Sequence, residues 1–220
     1  MLPAALPTPR LLFRTAFTMP VWRMWPVTGA LAVELRDTEA RTVSFVILRA
    51  ADGHELVRYH DPATPWWLAL TGLTSTELVL GELDPTRLGQ PERYRTITWS
   101  QPDVAPVEPL PDWRTPESHG ADGPYFTPLA AFIEAQTGQR PSTRVDLLET
   151  PTWTVLGFES PGLSAGYELL AVAARGTSRL RLTLAGAPLG PGELRFCTFG
   201  PILYALGAPG EVLAWELPPV

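Results

Sequence analysis

The chain has 220 residues, 45% of them hydrophobic and 18% charged, with a formal net charge of −6. That is a globular composition with ample material for a core, and its negative balance disfavours a nucleic-acid surface. All 17 basic residues are arginine and asparagine is absent, which excludes a Schiff-base or phosphate-loop lysine and an N-glycosylation acceptor.

Cys197 is the single cysteine, so neither an internal disulfide nor a cysteine-rich metal site can form. In L-R-F-C-T-F it reads as a small buried hydrophobe on a strand. The 25 prolines and 18 glycines predict many short elements separated by turns rather than long helices. No run of about 18 apolar residues is present, so no membrane-spanning helix is expected. The expectation is a soluble, cytoplasmic protein of one all-β domain over residues 1–220.

In chain order, residues 1–9 read as a loose leader, too broken by proline for a signal peptide. Strand patterns follow at Leu11–Phe17 and at Val21–Val27, which carries Trp22 and Trp25. A Thr28-Gly29 turn leads into Ala30–Arg36. There Leu31, Val33 and Leu35 alternate with Ala32, Glu34 and Arg36, the pattern of a half-buried strand with Glu34 and Arg36 on its polar face. Val43–Leu48 is apolar on both faces and reads as a fully buried strand. Asp52-Gly53 marks a turn, since glycine takes positive φ freely and aspartate bonds its own backbone. Leu56–His60 then closes a four-stranded antiparallel meander.

A second unit begins at Trp66-Trp67, with strands at Trp67–Leu70, Glu77–Leu83 and Tyr94–Trp99. Gln101–Pro124, rich in Pro, Asp and Gly, reads as a long irregular loop. Thr127–Gly138 is the one helix: Thr127 as N-cap, Pro128 at the first helical position, Gly138 to end it in the left-handed conformation. Strands resume at Arg144–Leu148, Thr152–Phe158, Tyr167–Ala174, Arg179–Leu184, Leu194–Phe199, Ile202–Leu206 and Val212–Leu217. The last two form a hairpin around Pro209-Gly210 that repeats the Val43–Tyr59 hairpin, as repeated β units would. The pattern predicts antiparallel meanders in a propeller-like arrangement; a two-sheet sandwich with an inserted loop is the alternative.

The stretch Val33-Glu34-Leu35-Arg36-Asp37, then Phe45, Gly53, Trp66-Trp67 and Gly89-Gln90-Pro91, with Leu203-Tyr204 through Trp215-Glu216-Leu217, resembles a bacterial family of domains of unknown function with β-propeller-like repeats. The resemblance implies hairpins similar to quinoprotein-type and WD-type blades. It covers most of the chain and departs from the blade pattern at Gln101–Pro124. It implies no catalytic residues.

Local motifs for chemistry are missing. His54, His60 and His119 show no metal-ligand spacing, and no nucleophile elbow, phosphate loop or dinucleotide fingerprint occurs. His60, beside Asp61, reads as an oriented imidazole or a strand-end polar pair. His119 falls in the irregular loop. Asp146 and Glu149 are the best carboxylate pair, but spacing three on a strand sends them to opposite faces and a solvated strand end is the favoured reading. Trp66-Trp67 is an unusual dipeptide: burial of both rings between packed sheets is the favoured reading, and a split into one core ring and one surface anchor for a carbohydrate, peptide or protein is the functional alternative. Arg175, Arg179 and Arg181 form the only basic cluster; Arg179 and Arg181 share a strand face that could grip an anion, with a solvated face the favoured reading.

Trp66, Trp67, His60, Arg179 and Arg181 are therefore the candidate binding residues, with no catalytic residue, metal or cofactor assigned. The expected function is a non-enzymatic binding or scaffold module. The alternative is a hydrolase or lyase whose site is assembled from scattered strands.

Overall fold

A computed structural model of the chain describes residues 8–60, 66–74, 76–82, 93–99, 113–159, 166–174, 179–184, 194–208 and 210–218. In chain order the strands are β1 (Arg10–Ala16), β2 (Val21–Val27), β3 (Ala30–Asp37), β4 (Thr42–Arg49), β5 (Glu55–Tyr59), β6 (Leu68–Leu73), β7 (Glu77–Glu82), β8 (Arg93–Thr98), β9 (Trp113–Arg114) and β10 (Glu117–Gly120). After the helix α1 (Phe126–Thr137) come β11 (Arg144–Glu149), β12 (Trp153–Glu159), β13 (Tyr167–Ala173), β14 (Arg179–Leu184), β15 (Phe196–Phe199), β16 (Ile202–Leu206) and β17 (Glu211–Glu216). The described residues are thus mostly β with one short helix, and every pairing whose register is described is antiparallel. Two compact units divide it, one formed chiefly by Trp113–Pro209 and the other chiefly by Leu12–Asp112.

In the Leu12–Asp112 unit, β2-β3-β4-β5 is the expected four-stranded meander and β6-β7-β8 a three-stranded one. The β4–β5 turn follows its sequence: Gly53 has φ 70°, and the His54 N–H donates to Asp52 Oδ1 at 3.0 Å. Ala30, Ala32, Val43, Phe45 and Ile47 pack with Leu68, Leu70, Leu78, Leu80 and Trp99 in one core. Each fully buried large side chain there contributes roughly 1.5–3 kcal/mol.

Glu34 and Arg36 overturn the half-buried reading of β3. They are 0% and 6% exposed, on the same face as Ala30 and Ala32, and their nearest partners explain why. β6 lies at the edge of its sheet, so a row of its backbone groups has no strand to pair with. The Leu70 N–H donates to Glu34 Oε2 at 2.7 Å, while Arg36 donates to Leu68 O at 2.8 Å and Trp66 O at 2.5 Å. Arg36 Nε in turn donates to Glu34 Oε1 at 2.5 Å. A buried ion pair takes the place of the missing neighbour strand, and alternation alone cannot distinguish that from a solvated face.

In the Trp113–Pro209 unit, β10-β11-β12-β13-β14 is a five-stranded meander and β16-β15-β9 a second antiparallel run. Helix α1 packs Phe126, Ala130 and Ile133 on the face carrying Val145, Leu156, Phe158, Leu170 and Val172. Gly138 ends it at φ 74°, as expected, but the N-cap is Tyr125, without a side-chain cap bond, and not Thr127. Pro128 therefore sits in the first turn, where backbone N–H groups lack helical partners anyway. Gln101–Pro124 is also corrected within the described residues, because it contains β9 and β10.

β1 and β17 contribute residues to both units. Arg10 pairs with Glu216 at 2.7 Å in one, and the Phe17 N–H donates to Gly210 O at 2.7 Å in the other. Gly210 has φ 79°, and a Cβ there would lie 2.6 Å from Phe17 O, so this turn needs glycine twice over.

Candidate functional site

Asp146 is where the structure departs furthest from the solvated strand end expected of it. Residues 144, 146 and 148 of β11 face away from the helix, whereas Val145 joins the helix-side core. Ser118 lies opposite Asp146 in the β10–β11 register, and Asp146 is only 4% exposed. Three donors meet its carboxylate. Ser118 Oγ donates to Oδ1, Tyr167 OH donates to Oδ2 at 2.5 Å, and Arg144 donates to Oδ2 at 3.1 Å.

Tyr167 reaches Asp146 because β12 presents a glycine. In the register, Asp146 faces Gly157 while Tyr167 faces Glu159 two residues on, so the phenol crosses above Gly157. A Cβ at 157 would lie 1.9 Å from the phenol oxygen and 2.7 Å from Phe196. Burial, with the Asp146 carboxylate adding to it, holds the Tyr167 hydroxyl well above its ordinary range, so Tyr167 stays a neutral donor.

Above the same ring lies Arg195, its guanidinium 4.3 Å from the ring centroid. Arg195 is 8% exposed, and its Nε is buried with no hydrogen-bond partner. Neither a hydrogen bond nor an ion pair of its guanidinium is found among the described residues. Burial lowers its affinity for its proton and the nearby Arg144 charge adds to that, opposed by the carboxylates of Glu159 and Asp146. Thr115, Pro116, Ser118, Arg144, Asp146, Leu194 and Arg195 line a cavity of about 380 Å³. A second cavity of about 340 Å³ lies by Arg114, Thr115, Glu117 and Glu149.

The arrangement presents cations and hydroxyl donors around a carboxylate that already accepts three hydrogen bonds. Its free donors are suited to holding an acceptor group. His119 is no help to Ser118, since neighbouring residues of a strand point to opposite faces; its ring lies edge-on to Tyr125, 5.5 Å away.

The five candidates drawn from the sequence do not form one site. Trp66 and Trp67 lie in the turn before β6 and not on a strand. Trp67 is 42% exposed, while Trp66 is half-buried with the Arg36 guanidinium 4.8 Å from its ring centroid. His60 is exposed, with Nδ1 2.8 Å from Ser44 Oγ; Asp61 lies outside the described residues. Arg179 is exposed on β14. Arg181 is engaged by Glu168 at 2.7 Å and Gln139 Oε1 at 2.9 Å, past the end of the helix. Arg175 lies outside the described residues. Among the described residues no helix is long and apolar enough to cross a membrane, and no group of three His, Cys, Asp or Glu side chains is placed to hold a metal.

Sequence reasoning missed Tyr167 and Arg195 and set Asp146 aside as a solvated strand end. The available signal was Gly157, a glycine inside an apolar strand, which marks close approach of another group. No family model matches the chain, and no curated protein or solved structure matches it either.

Proposed function

We propose that the chain is a non-enzymatic binding module built on antiparallel β-meanders, with its ligand site in the cavity that Arg195 lines. The observation that carries this is a guanidinium nine-tenths buried, with its Nε unpartnered and no ion pair among the described residues, on the wall of a cavity large enough for a small molecule. An unpaired buried charge is costly, and a bound anion offsets that cost. The volume falls within the range of small-molecule sites, roughly 300–1,000 Å³. A propeller-like arrangement belongs to this reading; what supports it is the β2-β3-β4-β5 meander, four consecutive strands in blade order.

A hydrolase or lyase is the second reading, and the Ser118–Asp146–Tyr167 chain of hydrogen bonds is the observation in its favour. Against it stands Tyr167, whose hydroxyl is kept a neutral donor by burial and so is no base. Equilibrium dialysis against a mixture of small organic anions, with bound molecules recovered and identified by mass spectrometry, separates the two. The binding reading expects a retained ligand that is chemically unchanged and lost in Arg195→Met. Product formation abolished by Ser118→Ala would establish the enzyme instead.

A further inference from the structure

Resting on that binding reading, the geometry points to a ligand class: we propose that the cavity takes the singly charged carboxylate of a small organic acid. The acid's two oxygens would lie on the Arg195 guanidinium and its body against Leu194 and Pro116.

The charge count selects the class. Arg144 and Asp146 are paired at 3.1 Å and neutralise one another. Among the described residues that line the cavity, Arg195 is then the one cation without an ion pair, and its Nε has no hydrogen-bond partner. A dianion such as phosphate would need a second free cation, and the wall that would supply it carries the Asp146 carboxylate. The shape of the donor agrees: a planar guanidinium matches a planar carboxylate with two parallel N–H···O bonds. Tyr167 supports the guanidinium, its ring centroid 4.3 Å away and its hydroxyl tied to Asp146. Leu194 and Pro116 supply apolar wall for the rest of the ligand. The free C-terminus of a peptide carries the same chemistry, but a cavity of about 380 Å³ favours a small free acid.

Isothermal titration of the full chain with four probes tests this: benzoate, benzamide, inorganic phosphate and N-acetylated tetra-alanine. Benzoate is expected to bind with one-to-one stoichiometry and more tightly than the other three. Arg195→Met should abolish benzoate binding, and Arg195→Lys, which keeps the charge and loses the fork, should weaken it about tenfold. Circular dichroism establishes that each variant is folded; if Arg195→Met is not, Arg195→Lys carries the test. Phosphate binding more tightly than benzoate would overturn the carboxylate assignment while leaving a binding site in place. Tighter binding of the peptide would overturn the free acid. Benzamide equal to benzoate, or benzoate binding unchanged in the Arg195 variants, would overturn the role of the guanidinium. Heat with none of the four would overturn the binding reading too.

Discussion

Tyr167 joins the two halves of the candidate site, since its hydroxyl serves Asp146 and its ring carries Arg195. Tyr167→Phe keeps the ring and leaves a buried carboxylate oxygen short of one donor, which costs about 1–3 kcal/mol. Urea unfolding should show this as a lower midpoint with unchanged slope. Cys197 offers a separate test of burial. Its thiol is pushed from an ordinary 9.0 up to about 12 by desolvation. A folded-state value above the unfolded one means the thiol's contribution to stability is fully present below about pH 9. It is lost as pH rises from there towards about 12, because only the unfolded chain releases the proton. Between about pH 8 and about pH 10.5 the wild type should therefore lose about 2 kcal/mol more stability than Cys197→Ala, on top of the alkaline loss from the tyrosines that both share.

At the scale of elements, the meanders were legible and the buried polar residues were not. β2, β14 and β16 have the bounds their alternation and turn residues predict, because apolar periodicity and glycine turns are local properties. Glu34, Arg36 and Asp146 carry charges whose partners lie on other strands: Leu70 for Glu34, Trp66 and Leu68 for Arg36, Tyr167 for Asp146. Nothing in a strand's own alternation records that another strand's donor will meet its charge. The same blindness applied to the helix start, where Thr127 looked like a cap and Tyr125 occupies the position. The Glu34 clamp yields a direct test. Glu34→Ala strands Arg36 as an uncompensated buried cation and frees the Leu70 N–H, at a cost of about 3–5 kcal/mol. Hydrogen exchange should then show the Leu70 amide losing its protection more than the amides of β7.

For the whole molecule, the two compact units carry different kinds of candidate feature. The Leu12–Asp112 unit offers an exposed Trp67 beside a Trp66 stacked on Arg36. Trp67→Ala should leave stability within about 0.5 kcal/mol. Trp66→Ala should cost about 1–2 kcal/mol through the lost cation–π contact, and thermal melts of the two variants compare them. The Trp113–Pro209 unit carries the cavity and the buried cation, and on these the functional account stands. Its central claim is that Arg195 is held as the partner for a ligand anion. The most direct measurement is the NMR signal of the Arg195 Nε–H group, assigned by its disappearance in Arg195→Met, followed while benzoate is added. The account predicts that this resonance shifts progressively and saturates, in step with the binding curve from calorimetry. A resonance that stays in place while benzoate binds elsewhere on the chain would contradict it.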